Sequence, residues 1–150
     1  MIDVQTGADR IVIRVEIGAP RDRVWQALTD EERIAQWWGD HVSFDARPGG
    51  CVTERWTDAG GREVVTSGEV VRLIAPRTLE LTWADDDWDE PTRVLFRLDE
   101  AADDATRLTL EHSGWEAFPP STREELVRTH ASGWSDHMAN LAAYSARPPR

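Results

Sequence analysis

The stretch STREELVRTHASGWSDHMANLAAYSA, residues 121–146, decides how the rest of the chain is read. Pro119 and Pro120 bar an earlier helix, Ser121 suits an N-cap, and Glu124 three residues on completes a capping box. Val127, Ala131, Trp134, Met138, Leu141 and Ser145 then recur alternately four and three apart, with Leu126, Ala142 and Tyr144 widening the stripe. The spacing predicts one amphipathic helix with a buried face. At about 1.5 Å per residue, about 25 residues make a rod near 37 Å, long enough to cross a whole sheet. Gly133 inside it costs about 1 kcal/mol relative to alanine, so either something packs closely there or the position is tolerated. Arg147, Pro148 and Pro149 end the helix, and the last residues are expected to fray.

What precedes the helix reads mostly as strands. Ile11, Ile13, Val15 and Ile17 alternate with Val12, Arg14 and Glu16 as in a half-buried strand. The period then changes. Pro20 opens a short helix through Val24, Trp25, Ala27 and Leu28, and Thr29 with Glu32 forms a capping box for a second, through Ile34, Ala35, Trp37 and Trp38, that Gly39 closes. From about His41 the helical period does not return until Ser121. Turn residues divide this span into strand candidates at 51–56, 62–74, 78–84, 93–98 and 106–113, with acidic tips at 85–91 and 99–104. An antiparallel meander with one apolar face needs a cover, and the last helix supplies it. The expected fold is α+β: a curved antiparallel sheet of about seven strands wrapped on a long C-terminal helix, with two short helices after the first strand. Such a sheet leaves a hollow where helix and strands diverge.

Composition bounds the function. The 150 residues are the size of one domain, with no internal repeat or linker. Cys51 is the single cysteine, which excludes an intramolecular disulfide and suits a reduced setting. The N-terminus lacks the pattern of a signal peptide and no run approaches membrane-spanning length, so a soluble, cytoplasmic protein is expected. A net charge of −11 argues against nucleic acid or an anionic membrane as partner. All seventeen basic residues are arginine, which reads as coding bias. Eight tryptophans point either to an aromatic-rich core or to an aromatic-lined pocket.

Several strings in this order resemble the family named after the activator of the Hsp90 ATPase, within the START/Bet v1-like (SRPBCC) helix-grip superfamily. They are APRDRVWQALTD at 19–30 continuing through Ile34 to Trp37, Trp38 and Gly39; Gly68-Glu69-Val70 through Leu79 to Trp83; His112-Ser113-Gly114-Trp115; and Gly133-Trp134 followed by Leu141. The resemblance covers nearly the whole chain. It implies a cavity between the long helix and the sheet that holds an apolar or aromatic small molecule, while other members of the superfamily are enzymes. The activator that names the family has a further N-terminal domain that takes part in engaging the chaperone. These 150 residues leave no room for it, so a chaperone partner is disfavoured.

Trp37, Trp83, Phe96, Trp115, Trp134 and Met138 are candidates to line that cavity; taken singly each reads first as core, and as a set they follow the resemblance. His112, on the apolar face of a strand, is a candidate to orient a ligand or act as acid or base; the alternative is an imidazole satisfied by its neighbours. Glu54 becomes an acid or base if it faces inward, and otherwise is a charge at the mouth. His130 and His137 share a side of the helix about 10 Å apart, too far for one metal, and no HExxH or cysteine pair occurs, so no metal and no cofactor is expected. Asp85, Asp86, Asp87, Asp89 and Glu90 lack the spacing of a calcium loop and read as a solvated tip. Cys51 reads as a small buried hydrophobe, and no Gly-x-Ser-x-Gly elbow is present. The first functional expectation is a binding domain for an apolar or aromatic small molecule. The second is a cyclase- or hydrolase-like enzyme acting on one, and the third a stimulator of an Hsp90-type ATPase. A homodimer through an edge strand or exposed tryptophans is a further expectation.

Overall fold

The computed structural model describes residues 2–101 and 104–147. Strands β1 (Ile2–Thr6) and β2 (Arg10–Ile17) precede helices α1 (Arg21–Thr29) and α2 (Glu31–Trp37). Strands β3 (Val42–Phe44), β4 (Cys51–Thr57), β5 (Glu63–Ile74), β6 (Thr78–Asp85), β7 (Thr92–Ala101) and β8 (Ala105–Ser113) follow, then a short 3₁₀ turn (Trp115–Ala117) and α3 (Pro120–Ser145). The eight strands form one antiparallel sheet in the order β1-β2-β8-β7-β6-β5-β4-β3. This is the helix-grip arrangement, with one strand more than expected. The strand at 11–17 is the second, because β1 lies ahead of it as a mostly exposed edge with little apolar alternation to announce it.

The stripe read from the sequence is the face that α3 buries: Val127, Ala131, Trp134, Met138, Leu141 and Ser145 are its buried residues. They meet the inward positions of the sheet, among them Ile11, Ile13, Leu81, Val94, Phe96, Leu108 and Leu110. Successive side chains of a strand point to opposite faces, so a one-residue slip in any pairing would expose this set. At roughly 1.5–3 kcal/mol for each large apolar side chain buried, this interface is the main favourable term that holds the helix on the sheet.

The caps differ from expectation. α3 begins at Pro120 with Pro119 as N-cap and no side-chain cap, so Ser121 and Glu124 form no capping box. Proline at the first turn needs no N–H partner, and Arg123 secures the entry instead by donating to the carbonyls of Trp115 (3.1 Å), Glu116 (3.4 Å) and Phe118 (2.9 Å). The cap of α2 is Asp30, which accepts from the Glu32 N–H at 3.1 Å, while Thr29 turns back to donate to the Trp25 carbonyl. Cys51 is exposed, because β4 turns Val52 inward and Cys51 outward. Pro148 and Pro149, and part of the second acidic tip, lie outside the described residues. Among the described residues no helix is long and apolar enough to cross a membrane.

At Gly68 β5 passes close to both of its neighbours. A Cβ there would run into the Thr82 carbonyl of β6 and crowd Val52 of β4, next to the register shift between Val70 and Arg72. We predict that Gly68→Ala lowers stability by about 2–3 kcal/mol in urea unfolding, a core-overpacking effect. A loss below about 0.5 kcal/mol would show that the two strands part easily here.

Candidate functional site

The strand register collects one set of side chains on the inner face of β4, β5 and β6. Glu54 pairs with Thr66 and Thr66 with Asp85, and two residues from these lie Trp56 and Trp83. Opposite them stand Thr129, His130, Gly133, Trp134 and His137 of α3, and Trp38 closes the side at the end of α2. Between these walls lies an open cavity of about 300 Å³. Gly133 explains why the helix does not close it: a Cβ at this position would meet nothing within 4 Å. The open space answers the question that the glycine posed in the sequence, since nothing packs against it.

Of the residues singled out beforehand, Trp83, Trp134 and Glu54 line this cavity. Trp37, Phe96, Trp115 and Met138 are buried behind it. Trp37 donates to the Ala27 carbonyl at 2.8 Å, and Trp115 donates to the His112 carbonyl at 3.0 Å. Phe96 sits edge-on to Trp134 with ring centres 5.8 Å apart. The wall also includes residues that the sequence reading passed over or set aside: Trp38, Trp56, Thr66, Asp85, Thr129, His130, Gly133 and His137. Trp38 is the aromatic hub, stacked on Trp83 at 6.1 Å and 27° and lying 4.7 Å from the His137 ring and 5.6 Å from Trp134. Its place at the end of a capped, two-turn helix carries no sequence signal beyond the Trp-Trp-Gly string.

The stretch 85–91 is not a wholly solvated tip. Asp85 ends β6 and is half-buried in the cavity wall, and Trp88 folds inward against Phe118 (5.0 Å), His130 (5.5 Å) and Trp115 (5.7 Å). Asp85 accepts from Thr66 Oγ1 at 2.6 Å, and Thr66 accepts from the Trp56 indole at 2.8 Å. Burial pushes the Asp85 carboxyl above its usual range, and the Thr66 hydrogen bond and His130 offset part of that; Asp87 and Asp86 add to it. Glu54 faces inward and Arg55 outward, as alternation requires. Glu54 Oε2 takes the Trp38 indole N–H at 3.2 Å and lies 2.7 Å from His41 Nε2.

His112 is fully buried and its two nitrogens are both engaged. The Trp134 indole can only donate, so at 2.9 Å it finds Nδ1 as an acceptor. The proton therefore sits on Nε2, which donates to Thr92 Oγ1 at 2.6 Å, and Thr92 donates on to the Trp83 carbonyl at 2.7 Å. This chain joins α3 to β8, β7 and β6 and holds the imidazole neutral. Burial, and secondarily His130, lowers its pKa well below the ordinary value. His130 is fixed in the opposite tautomer, because its Nδ1 lies 2.9 Å from the Leu126 carbonyl and must carry the proton. Its Nε2 keeps a lone pair. Burial lowers His130, with the Leu126 carbonyl and Asp85 opposing, and lowers His137, with Glu54 and Asp136 opposing and His41 adding to it. Among the described residues no three His, Cys, Asp or Glu side chains converge as a metal's ligands.

Comparison with known proteins adds a frame. The family described as Activator of Hsp90 ATPase homolog 1-like protein matches residues 18–146. No curated protein sequence matches the chain. Among solved structures, CalU16 from Micromonospora echinospora is 27% identical with a TM-score of 0.72, covering 97% of this chain and 84% of that one. DynU16, a protein in the dynemicin biosynthetic locus, is 29% identical with a TM-score of 0.73; the match covers 91% of this chain and 46% of the other, so this chain spans under half of its length. A protein from Arthrobacter aurescens, 19% identical, covers 99% of this chain and 93% of its own at a TM-score of 0.75, a likeness of fold alone.

The histidine network gives a stability profile with a definite sign. His112, His130 and His137 are all held below their ordinary value of 6.5, so the unfolded chain binds protons that the folded one refuses. Their contribution is complete above about pH 6.5 and is lost as pH falls below it. Thermal melts should therefore drop between pH 7 and 5. His112→Ala, which strands the Trp134 and Thr92 partners and leaves a void, should cost about 3 kcal/mol and flatten that profile. An unchanged pH dependence in the variant would remove His112 from the account.

Proposed function

Given that the chain belongs to the Activator of Hsp90 ATPase homolog 1-like family, we propose that it binds a small aromatic or apolar molecule in the cavity between α3 and the strands β4–β6. The observation that carries this reading is the gap itself. Trp38, Trp56, Trp83 and Trp134 line a space that Gly133 leaves unfilled, although a single alanine or larger side chain would begin to fill it. Ligand sites of this size combine apolar and aromatic surface with a few polar groups that set orientation, and Glu54, Asp85, Thr66 and His130 supply those here. Trp37, Phe96, Trp115, Met138 and His112 act behind the wall by holding its rings in place. DynU16's place in a biosynthetic locus supports a small molecule as the class of occupant.

A second reading, an enzyme acting on the occupant, is favoured by one observation. His130 donates its Nδ1–H to the Leu126 carbonyl and keeps an unprotonated Nε2 in the same wall as Asp85, whereas His112 has neither nitrogen to spare. Stimulation of an Hsp90-type ATPase rests on the family's description alone.

Native mass spectrometry of the gently purified protein is the direct test. Bound mass that disappears on denaturation is expected, and Gly133→Leu should abolish it by filling the cavity. Gly133→Ala should keep the fold and raise stability by about 0.5–1 kcal/mol, because the helix gains propensity and the new methyl meets no neighbour. Adduct retained in full by Gly133→Leu would place the ligand elsewhere.

A further inference from the structure

The charge in the cavity is one-sided. Glu54 and Asp85 line it, no arginine does, and the chain has no lysine. The imidazoles in the wall, His130 and His137, are held toward neutrality by burial, and His41, beside the wall, is already engaged with Glu54 Oε2 at 2.7 Å. Each carboxyl group is half-occupied. Within the described residues the hydrogen bonds to Glu54 fall on Oε2 and those to Asp85 on Oδ1, which leaves Oε1 and Oδ2 open. The acidic groups are fixed in place by Trp38, His41 and Thr66, so their open oxygens are pre-positioned acceptors, not wandering surface charges.

The tryptophans carry a second, independent sign of a missing partner. Of the four in the wall, Trp38, Trp56 and Trp134 donate their indole N–H to Glu54, Thr66 and His112. The Trp83 Nε1–H is buried and has no acceptor among the described residues. A buried donor without a partner is costly. The stacked faces of Trp38 and Trp83 meanwhile offer negative π surface, which attracts cations as the open carboxylate oxygens do.

We propose that the occupant is an aromatic molecule bearing a protonated nitrogen, its charge met by Glu54 and Asp85 and its ring laid against Trp38 and Trp83. The inference rests on the cavity being the ligand site. Carboxylate- or phosphate-bearing molecules are disfavoured by the same walls, because among the described residues two carboxyl groups and no arginine line them. The net charge of −11 extends the selection outward, since it steers cations toward the protein and anions away.

The test is a matched series on one scaffold: naphthylethylamine, naphthylethanol and naphthylacetate, titrated into the full chain by calorimetry, with the tryptophan indole signals followed in proton–nitrogen correlation spectra. The amine should bind at least about tenfold more tightly than the alcohol, and the acetate more weakly than either. Glu54→Gln and Asp85→Asn should each cut the amine's advantage over the alcohol by about threefold, read as the ratio of the two affinities in each variant. An alcohol that binds as well as the amine, or a preferred acetate, would overturn the cationic assignment and leave the cavity reading intact. An amine preference that survives both substitutions would overturn the roles given to the two carboxylates. If no member of the series moves the Trp38, Trp83 or Trp134 indole signals, both the assignment and the cavity reading fall.

Discussion

The hydrogen bond from the Trp134 indole to Nδ1 of His112 sets the depth at which the long helix sits on the sheet. Apolar burial alone would let α3 slide or roll, since it is non-directional. An indole N–H that can only donate, facing a fully buried imidazole that must then carry its proton on the far nitrogen, permits one arrangement. The chain continues through Thr92 to the backbone of Trp83, so the helix is registered against three adjacent strands at once. A partly satisfied network in this place would be worse than an apolar contact, and this one is complete from Trp134 to the β6 carbonyl.

That registration produces the cavity. With Trp134 fixed inward, Gly133 is turned toward β4–β6, where the sheet curves away from the helix and a side chain would otherwise stand. Trp38 reaches the same space from the end of α2, and its indole holds Glu54. The walls are therefore built from elements that the hydrophobic core already positions, and their polar groups are tied to one another before any molecule arrives. Preorganisation of this kind lowers the entropic cost of binding.

The helix stripe was fully readable because six positions at alternating spacing must all face one way, and the long strands were readable because alternation survives one-sided burial. β1 was not, since an exposed edge strand needs no apolar alternation, and the caps were not, because Asp30 and Pro119 compete locally with equally plausible neighbours. The candidate site was legible only in part. Trp83, Trp134 and Glu54 were reached from periodicity, but Trp38, Thr66, His130 and Asp85 join them through strand register and helix packing, which are tertiary facts. Asp85 was hidden by its neighbours: five acidic residues within six positions look like a solvated tip, whereas Trp88 pulls the stretch inward. Gly133 was visible as an anomaly, and its meaning appeared only once the space beside it could be seen.

Several features that weaken the folded state lie together. A helix-interior glycine costs about 1 kcal/mol, and an unpartnered buried N–H on Trp83 about 1–3 kcal/mol, against a total stability of about 5–15 kcal/mol for a domain. Asp85 is held partly out of water with its charge opposed by burial, and Trp56 leaves a large ring 39% exposed at the rim. Away from the cavity Trp37 and Trp115 have their N–H groups bonded, while Arg21 Nε and Ser145 Oγ, like the Trp83 N–H, are buried without a partner among the described residues. A chain that satisfies Trp37, Trp115 and Trp134 internally could satisfy Trp83 as well, and a helix with alanines at positions 131, 142 and 143 could carry one at 133. Gly133, the unpartnered Trp83 indole and the half-buried Asp85 all belong to the wall of one cavity, and local rules are broken most often at functional sites.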